Sequence, residues 1–254
     1  MSTATLDRPT VTRSALPRPS MLRLTLVELR KMSDTRAGYW LLGITGLLTV
    51  GVAILAALLI DGEDETLRNV FAVALQPASI LMPVVGILLV TSEWSQRTAM
   101  VTFTLVPARQ RVLGAKLLAG LALSVIAFVV SLAVALIVSV SFGYDLSMTG
   151  QLYGQALISV LIGMVGGIAF GAAILASAPA IVLSYVLPTA WAALGAIRAL
   201  HGVARWLDQT QTLAPLLEEH LSGIQWARLA TSLAVWLLLP LLIGAWRIAR
   251  SDPR

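Results

Sequence analysis

The chain alternates long apolar runs with short polar intervals, and the runs are too long for strands. Tyr39–Ile60 holds 22 residues without a charge. As a helix it would reach roughly 33 Å, against a bilayer core of about 30 Å. Comparable runs lie at about 70–92, 117–140 and 229–246. Between them, Leu146 to Ile197 carries no charge over 52 residues, too many for one span. Ser177-Ala178-Pro179 is the expected break, because serine caps helices and proline suits a first turn. The two halves then become spans at about 152–176 and 180–197. The pattern predicts an all-α polytopic membrane protein with six transmembrane helices.

Shorter periodicities lie outside the spans. Ser20 can cap a helix over Met21–Thr35, with Leu22, Leu26 and Leu29 as one stripe and Glu28, Arg30 and Lys31 largely off it. Such a helix would lie on the membrane surface, or simply extend the first span as a basic stem. Leu200, Val203 and Leu207, then Leu213, Leu216, Leu217 and Leu221, recur at helical spacing across 201–223. Pro215 and the polar run Asp208–Thr212 interrupt them, which suggests two short helices dipping back into the outer leaflet. Residues 1–20 are polar and proline-containing, and read as a disordered cytoplasmic tail ahead of a single membrane domain over 21–254.

Composition agrees: 57% of residues are apolar and only 12% charged, about half the share of a soluble domain. The pI near 10.2 would suit nucleic acid. The basic residues sit at the ends of apolar runs, however, so they read as topology signals rather than a nucleic-acid surface. With the N-terminus inside, fourteen of the 18 basic residues fall on the cytoplasmic side. Arg68, Arg198, Arg205 and Arg228 fall outside. This positive-inside bias places both termini in the cytoplasm.

Candidate chemistry is sparse. There is no cysteine, no phosphate-binding glycine loop and no zinc motif, and the two histidines, His201 and His220, sit in the outer segment. No catalytic, metal or cofactor residue is assigned, and the chain is read as a non-enzyme. The depths of the six spans lack ionisable residues, which argues against a proton- or ion-coupled carrier. Gln76, Pro77, Ser79 and Pro83 interrupt the second span, and Ser184, Tyr185, Pro188 and Thr189 the fifth. They either line a path or merely kink helices that pack. Gly163, Gly167 and Gly171 put a small-residue face on the fourth span for close helix approach.

The interval between the second and third spans carries Ser92-Glu93-Trp94-Ser95-Gln96-Arg97-Thr98, Thr102-Phe103, Leu105-Val106-Pro107-Ala108-Arg109 and Ala115-Lys116. An acidic residue ending the second span, a Thr, then Pro-x-Arg and a Lys opening the third resemble the permease subunits of type-2 ATP-binding-cassette exporters. Glu28-Leu29-Arg30-Lys31 and Trp236 through Pro240, Gly244 and Arg247 also fit, and the layout matches over nearly the whole chain. The resemblance implies a permease in the cell membrane, in a bacterium the cytoplasmic membrane. It would pair with a second copy or a paralogue and with a separate ATPase subunit holding ATP and Mg. Gln96–Leu105 would be the coupling helix, with Glu93, Arg97, Thr98, Phe103 and Arg109 at the ATPase. Met21–Thr35, with Glu28, Arg30 and Lys31, would be the connecting helix, and 201–223 a re-entrant pair. In the plainer alternative, Arg109, Arg111 and Lys116 bind lipid phosphates and Glu93 caps or pairs locally. A hydrophobic or amphipathic solute suits the apolar spans. The rival functions are an ion- or proton-coupled carrier and a non-transporting scaffold or sensor.

Overall fold

A computed structural model describes residues 19–60, 62–95, 108–218 and 221–250, without the side chains of Glu63, Leu217 and Glu218. Residues 1–18 of the opening tail, the Gln96–Leu105 coupling segment and His220 lie outside the described residues. The described chain is helical, with no strand beyond one isolated bridge between Thr66 and Asp145.

The elements are α1 (Met21–Asp34), α2 (Arg36–Leu59), α3 (Leu67–Ala74), α4 (Gln76–Ser95), α5 (Arg109–Phe142) and α6 (Gly150–Ile174). They continue with α7 (Ser177–Gly195), α8 (His201–Leu207), α9 (Gln209–Leu213), α10 (Pro215–Glu218), α11 (Gly223–Leu233) and α12 (Leu239–Arg250). Six stretches are long and apolar enough to cross a membrane: α2, α3 with α4, α5, α6, α7, and α11 through α12. Each begins and ends a few residues from the run read off the sequence. α5 differs most: it starts at Arg109, so Lys116 lies two turns inside a helix rather than before one.

The break between α6 and α7 falls where the uncharged stretch had to divide, but its chemistry differs from the expectation. Leu175 takes a left-handed conformation (φ 59°) and Ala176 turns the chain, while Ser177 caps nothing. The Ser177 hydroxyl instead shares hydrogen bonds with Thr91 Oγ1 at 2.8 Å and Ser95 Oγ at 3.2 Å on α4. A hydroxyl with partners on a neighbouring helix is no longer available to cap its own.

α4 and α6 form the centre of the bundle, and glycines let them touch. A Cβ on Gly167 would fall on the Pro83 carbonyl oxygen, and one on Gly171 would stand 3.1 Å from Ile87 Cα. Gly163 meets the Pro83 ring, so the three glycines face α4 of the same chain. The core collects Phe71, Met82, Val85, Leu89, Met164 and Ile168. Phe71 meets Phe128 edge-on at 5.7 Å, joining α3 to α5. α2 and α7 leave most of their apolar surface outward, as helices solvated by lipid would.

In the segment 201–223, three short helices replace the expected two. Leu216 and Leu221 are buried against Ile162 and Leu229, so this half of the leucine stripe packs inward. In the other half Ala204 is buried and Val203 exposed. Asp208 is buried and caps α9, accepting from the Thr210 and Gln211 amides. The polar run is therefore a capping turn.

Candidate functional site

Two arrangements stand out: a buried ring of charges at the end of the bundle where α4 stops and α5 starts, and a cleft among the broken spans. Ser20 caps α1 through the Arg23 amide, which fixes the helix start. From that start, Glu28 and Lys31 share one face at a spacing of three. That face meets the bundle, with Thr25, Glu28 and Met32 buried, while Leu22 and Leu26 point outward. Of the apolar stripe only Leu29 packs on the core, beside Met32, and the Glu28 carboxylate supplies the polar half of the contact.

Glu28 uses both oxygens: Oε1 accepts from Lys31 Nζ and Oε2 from Lys116 Nζ, each at 2.7 Å. Glu93 Oε1 accepts from Lys31 at 2.5 Å and lies 3.4 Å from Lys116 Nζ. The four side chains close a ring of alternating charge that joins α1, α4 and α5. Lys116 also donates to the Leu89 carbonyl at 2.8 Å, so three acceptors surround its three protons. Burial alone would lower the Lys31 pKa, yet the hydrogen bonds and charges of Glu28 and Glu93 outweigh it and hold it above the ordinary lysine value.

Lys116 is thus a buried partner in a network rather than the lipid-phosphate ligand of the plainer alternative, while Glu93 pairs locally as that alternative has it. Glu28 is equally withdrawn from the surface, whereas Arg30 is exposed and, among the described residues, pairs only with Asp34 at 3.5 Å. Arg109 donates to the carbonyls of Ile248 at 3.2 Å and Ala249 at 3.4 Å, closing the end of α12. Arg111 donates to the Pro19 carbonyl at 2.9 Å. These contacts put the start of α1 and the end of α12 at the same end of the bundle as the ring. Arg97, Thr98 and Phe103 lie outside the described residues, in a segment that leaves α4 two residues after Glu93.

The cleft has a volume of about 600 Å³ and lies among α4, α6, α7, α9 and the widened turn Ala234–Leu238. Gln76, Ser79, Ser184, Tyr185 and Thr189, singled out as interruptions of two separate spans, all line it. So do Gln209, Thr210 and Trp236, which the sequence did not mark as site residues. The available signal was proline: Pro83, Pro188 and Pro240 interrupt three spans near this cleft. At Ala234–Leu238 the helix opens into a π turn, with the Leu239 amide reaching back to Ala234. Trp236 Nε1 donates to the Leu207 carbonyl at 2.6 Å, tying this turn to the end of α8. No charged side chain among the described residues lines the cleft.

No protein-family model matches the chain, and no curated protein matches it in sequence.

Proposed function

We propose that the chain is the membrane-spanning permease subunit of an ATP-binding-cassette exporter, with ATP hydrolysed by a separate subunit. It would lie in the cell membrane with both termini in the cytoplasm. The charge ring carries this reading. A segment that receives a push between Ser95 and Arg109 would deliver it to α4 and α5, which the ring joins to α1 through Glu93, Lys116, Glu28 and Lys31. Three helices would then move together, as coupling from an external motor requires.

The cleft supplies the other half. It is sizeable, apolar and dotted with hydroxyls, and it suits a hydrophobic or amphipathic solute. Its freedom from charge suits transport driven from outside the chain better than transport driven by an ion gradient. The outward apolar faces of α2 and α7 leave room for a second permease copy or a paralogue. The three short helices of the segment 201–223 would form the re-entrant element over the exit.

The test is co-purification with an ATPase subunit, followed by Glu93→Ala and Arg97→Ala in the assembled complex. The expected result is loss of transport and of solute-stimulated ATP hydrolysis, with the complex still assembled in Arg97→Ala and with lowered thermal stability of the chain in Glu93→Ala, which opens the ring. Unchanged transport and hydrolysis in both variants would remove the coupling assignment. Transport that follows an ion gradient without any ATPase would remove the whole reading.

A further inference from the structure

The hydrogen-bonding balance of the cleft is one-sided. Ser79 Oγ donates to the Leu75 carbonyl at 3.1 Å, Ser159 Oγ to Ala156 at 2.7 Å and Ser184 Oγ to Ile181 at 2.9 Å. Thr189 Oγ1 donates to the Tyr185 carbonyl at 2.7 Å, and the Tyr185 hydroxyl donates to the Ile80 carbonyl. The Trp236 indole proton is committed to Leu207. Five hydroxyls therefore place their protons on the protein's own backbone and keep only lone pairs for anything in the cleft.

Proline adds to the same side. Pro83 and Pro188 have no amide proton for the carbonyls four residues earlier, those of Ser79 and Ser184. Both of these residues line the cleft. Two spans thus each forgo a helical hydrogen bond beside one cavity. Among the described lining residues, side-chain donors remain only on Gln76, Gln209 and Thr210. Carbonyls without donors are costly in an apolar setting, and a ligand that brings N–H or O–H groups relieves that cost.

We propose that the cleft selects non-anionic amphiphiles whose head group donates hydrogen bonds, such as a primary alkylammonium, and rejects carboxylates of the same chain length. An anion would meet mostly lone pairs, with donors only on Gln76, Gln209 and Thr210 and no cation among the described lining residues. A quaternary ammonium would bring charge but no donor. This inference rests on the reading of the cleft as the solute's site.

The test uses the full chain in nanodiscs of neutral phosphatidylcholine. A dodecylammonium with a chain-terminal diazirine is photo-crosslinked, the attachment points are mapped, and three competitors are added: dodecylammonium, dodecyltrimethylammonium and dodecanoate. The expected result is attachment to the peptides that carry Ser79, Ser184 and Trp236. Dodecylammonium should compete about tenfold better than either donor-free amphiphile, the worth of one or two hydrogen bonds. Pro188→Ala returns an amide proton to the Ser184 carbonyl and should weaken dodecylammonium several-fold without changing dodecyltrimethylammonium. Equal competition by all three compounds would overturn the donor selectivity and leave the cleft as a binding site. Attachment confined to other helices would overturn both.

Discussion

Lys116 on α5 donates to Glu28 on α1 at 2.7 Å, and both side chains are only 5% exposed. This pair fixes α1 to the bundle from within, beside the apolar contacts of Leu29 and Met32. Burying two carboxylates and an ammonium is costly, and the cost is met only while every partner is present. Lys116→Met leaves Glu28 and Glu93 facing each other with the half-exposed Lys31 alone between them. It should destabilise the chain by about 3–5 kcal/mol. The double variant Glu28→Gln with Lys116→Met should cost clearly less than the sum of the two single changes, because each single change strands a charge. Thermal unfolding of the purified protein in one detergent gives all the values. Additive costs would mean that the ring is not a unit.

The ring also predicts an alkaline limit. The Lys31 pKa is raised in the folded state, so its contribution is complete below the unfolded value of about 10.4. It is lost as pH rises through the higher folded value. Amide exchange over residues 21–34 should therefore accelerate, beyond the intrinsic effect of base, only above about pH 10.4. Lys31→Met should abolish that pH-dependent step. A step at neutral pH would point to a different group.

The two central helices make a sharper steric forecast. Gly167→Ala drives a methyl group into the Pro83 carbonyl, backbone against backbone, so α4 and α6 must separate. The cost should reach or exceed the 1–3 kcal/mol typical of overpacking. Gly166→Ala meets nothing within 4 Å and should be close to neutral. Paired melting curves decide it, and equal effects would mean that α6 is turned differently.

The spans were legible because apolar length is a local property, and Leu146–Ile197 had to divide wherever it broke. The interruptions Gln76, Ser79, Ser184, Tyr185 and Thr189 were legible for a related reason: polar groups and prolines within an uncharged run stand out against lipid. Their convergence on one cleft was not legible, since it depends on how α4 and α7 lie against α6. The ring was hidden more deeply. Glu28, Glu93 and Lys116 look like ordinary interface charges, and only packing shows that Glu28 reaches Lys116 across 88 positions of sequence. Ser177 is no cap because its hydroxyl partners, Thr91 and Ser95, lie on another helix, which local sequence does not show.

Asp208 offers a final test, of the wall that closes the cleft. Its carboxylate accepts from the Thr210 amide at 2.9 Å, the Gln211 amide at 3.3 Å and Gln211 Nε2 at 2.9 Å, and it holds α9 at the cleft. Gln209 and Thr210, the first two residues of α9, depend on that cap for their position. Asp208→Ala removes the acceptor and leaves the Thr210 and Gln211 amides without their cap, at a cost of about 0.5–2 kcal/mol. Asp208→Asn keeps a capping oxygen and should preserve most of the order. Amide exchange over 209–213 should rise in the alanine variant and stay near native in the asparagine variant. Exchange over Met21–Asp34 should not change in either, because the ring lies at the opposite end of the bundle. A rise there would mean that the two sites are coupled through the spans and do not fold as separate local units.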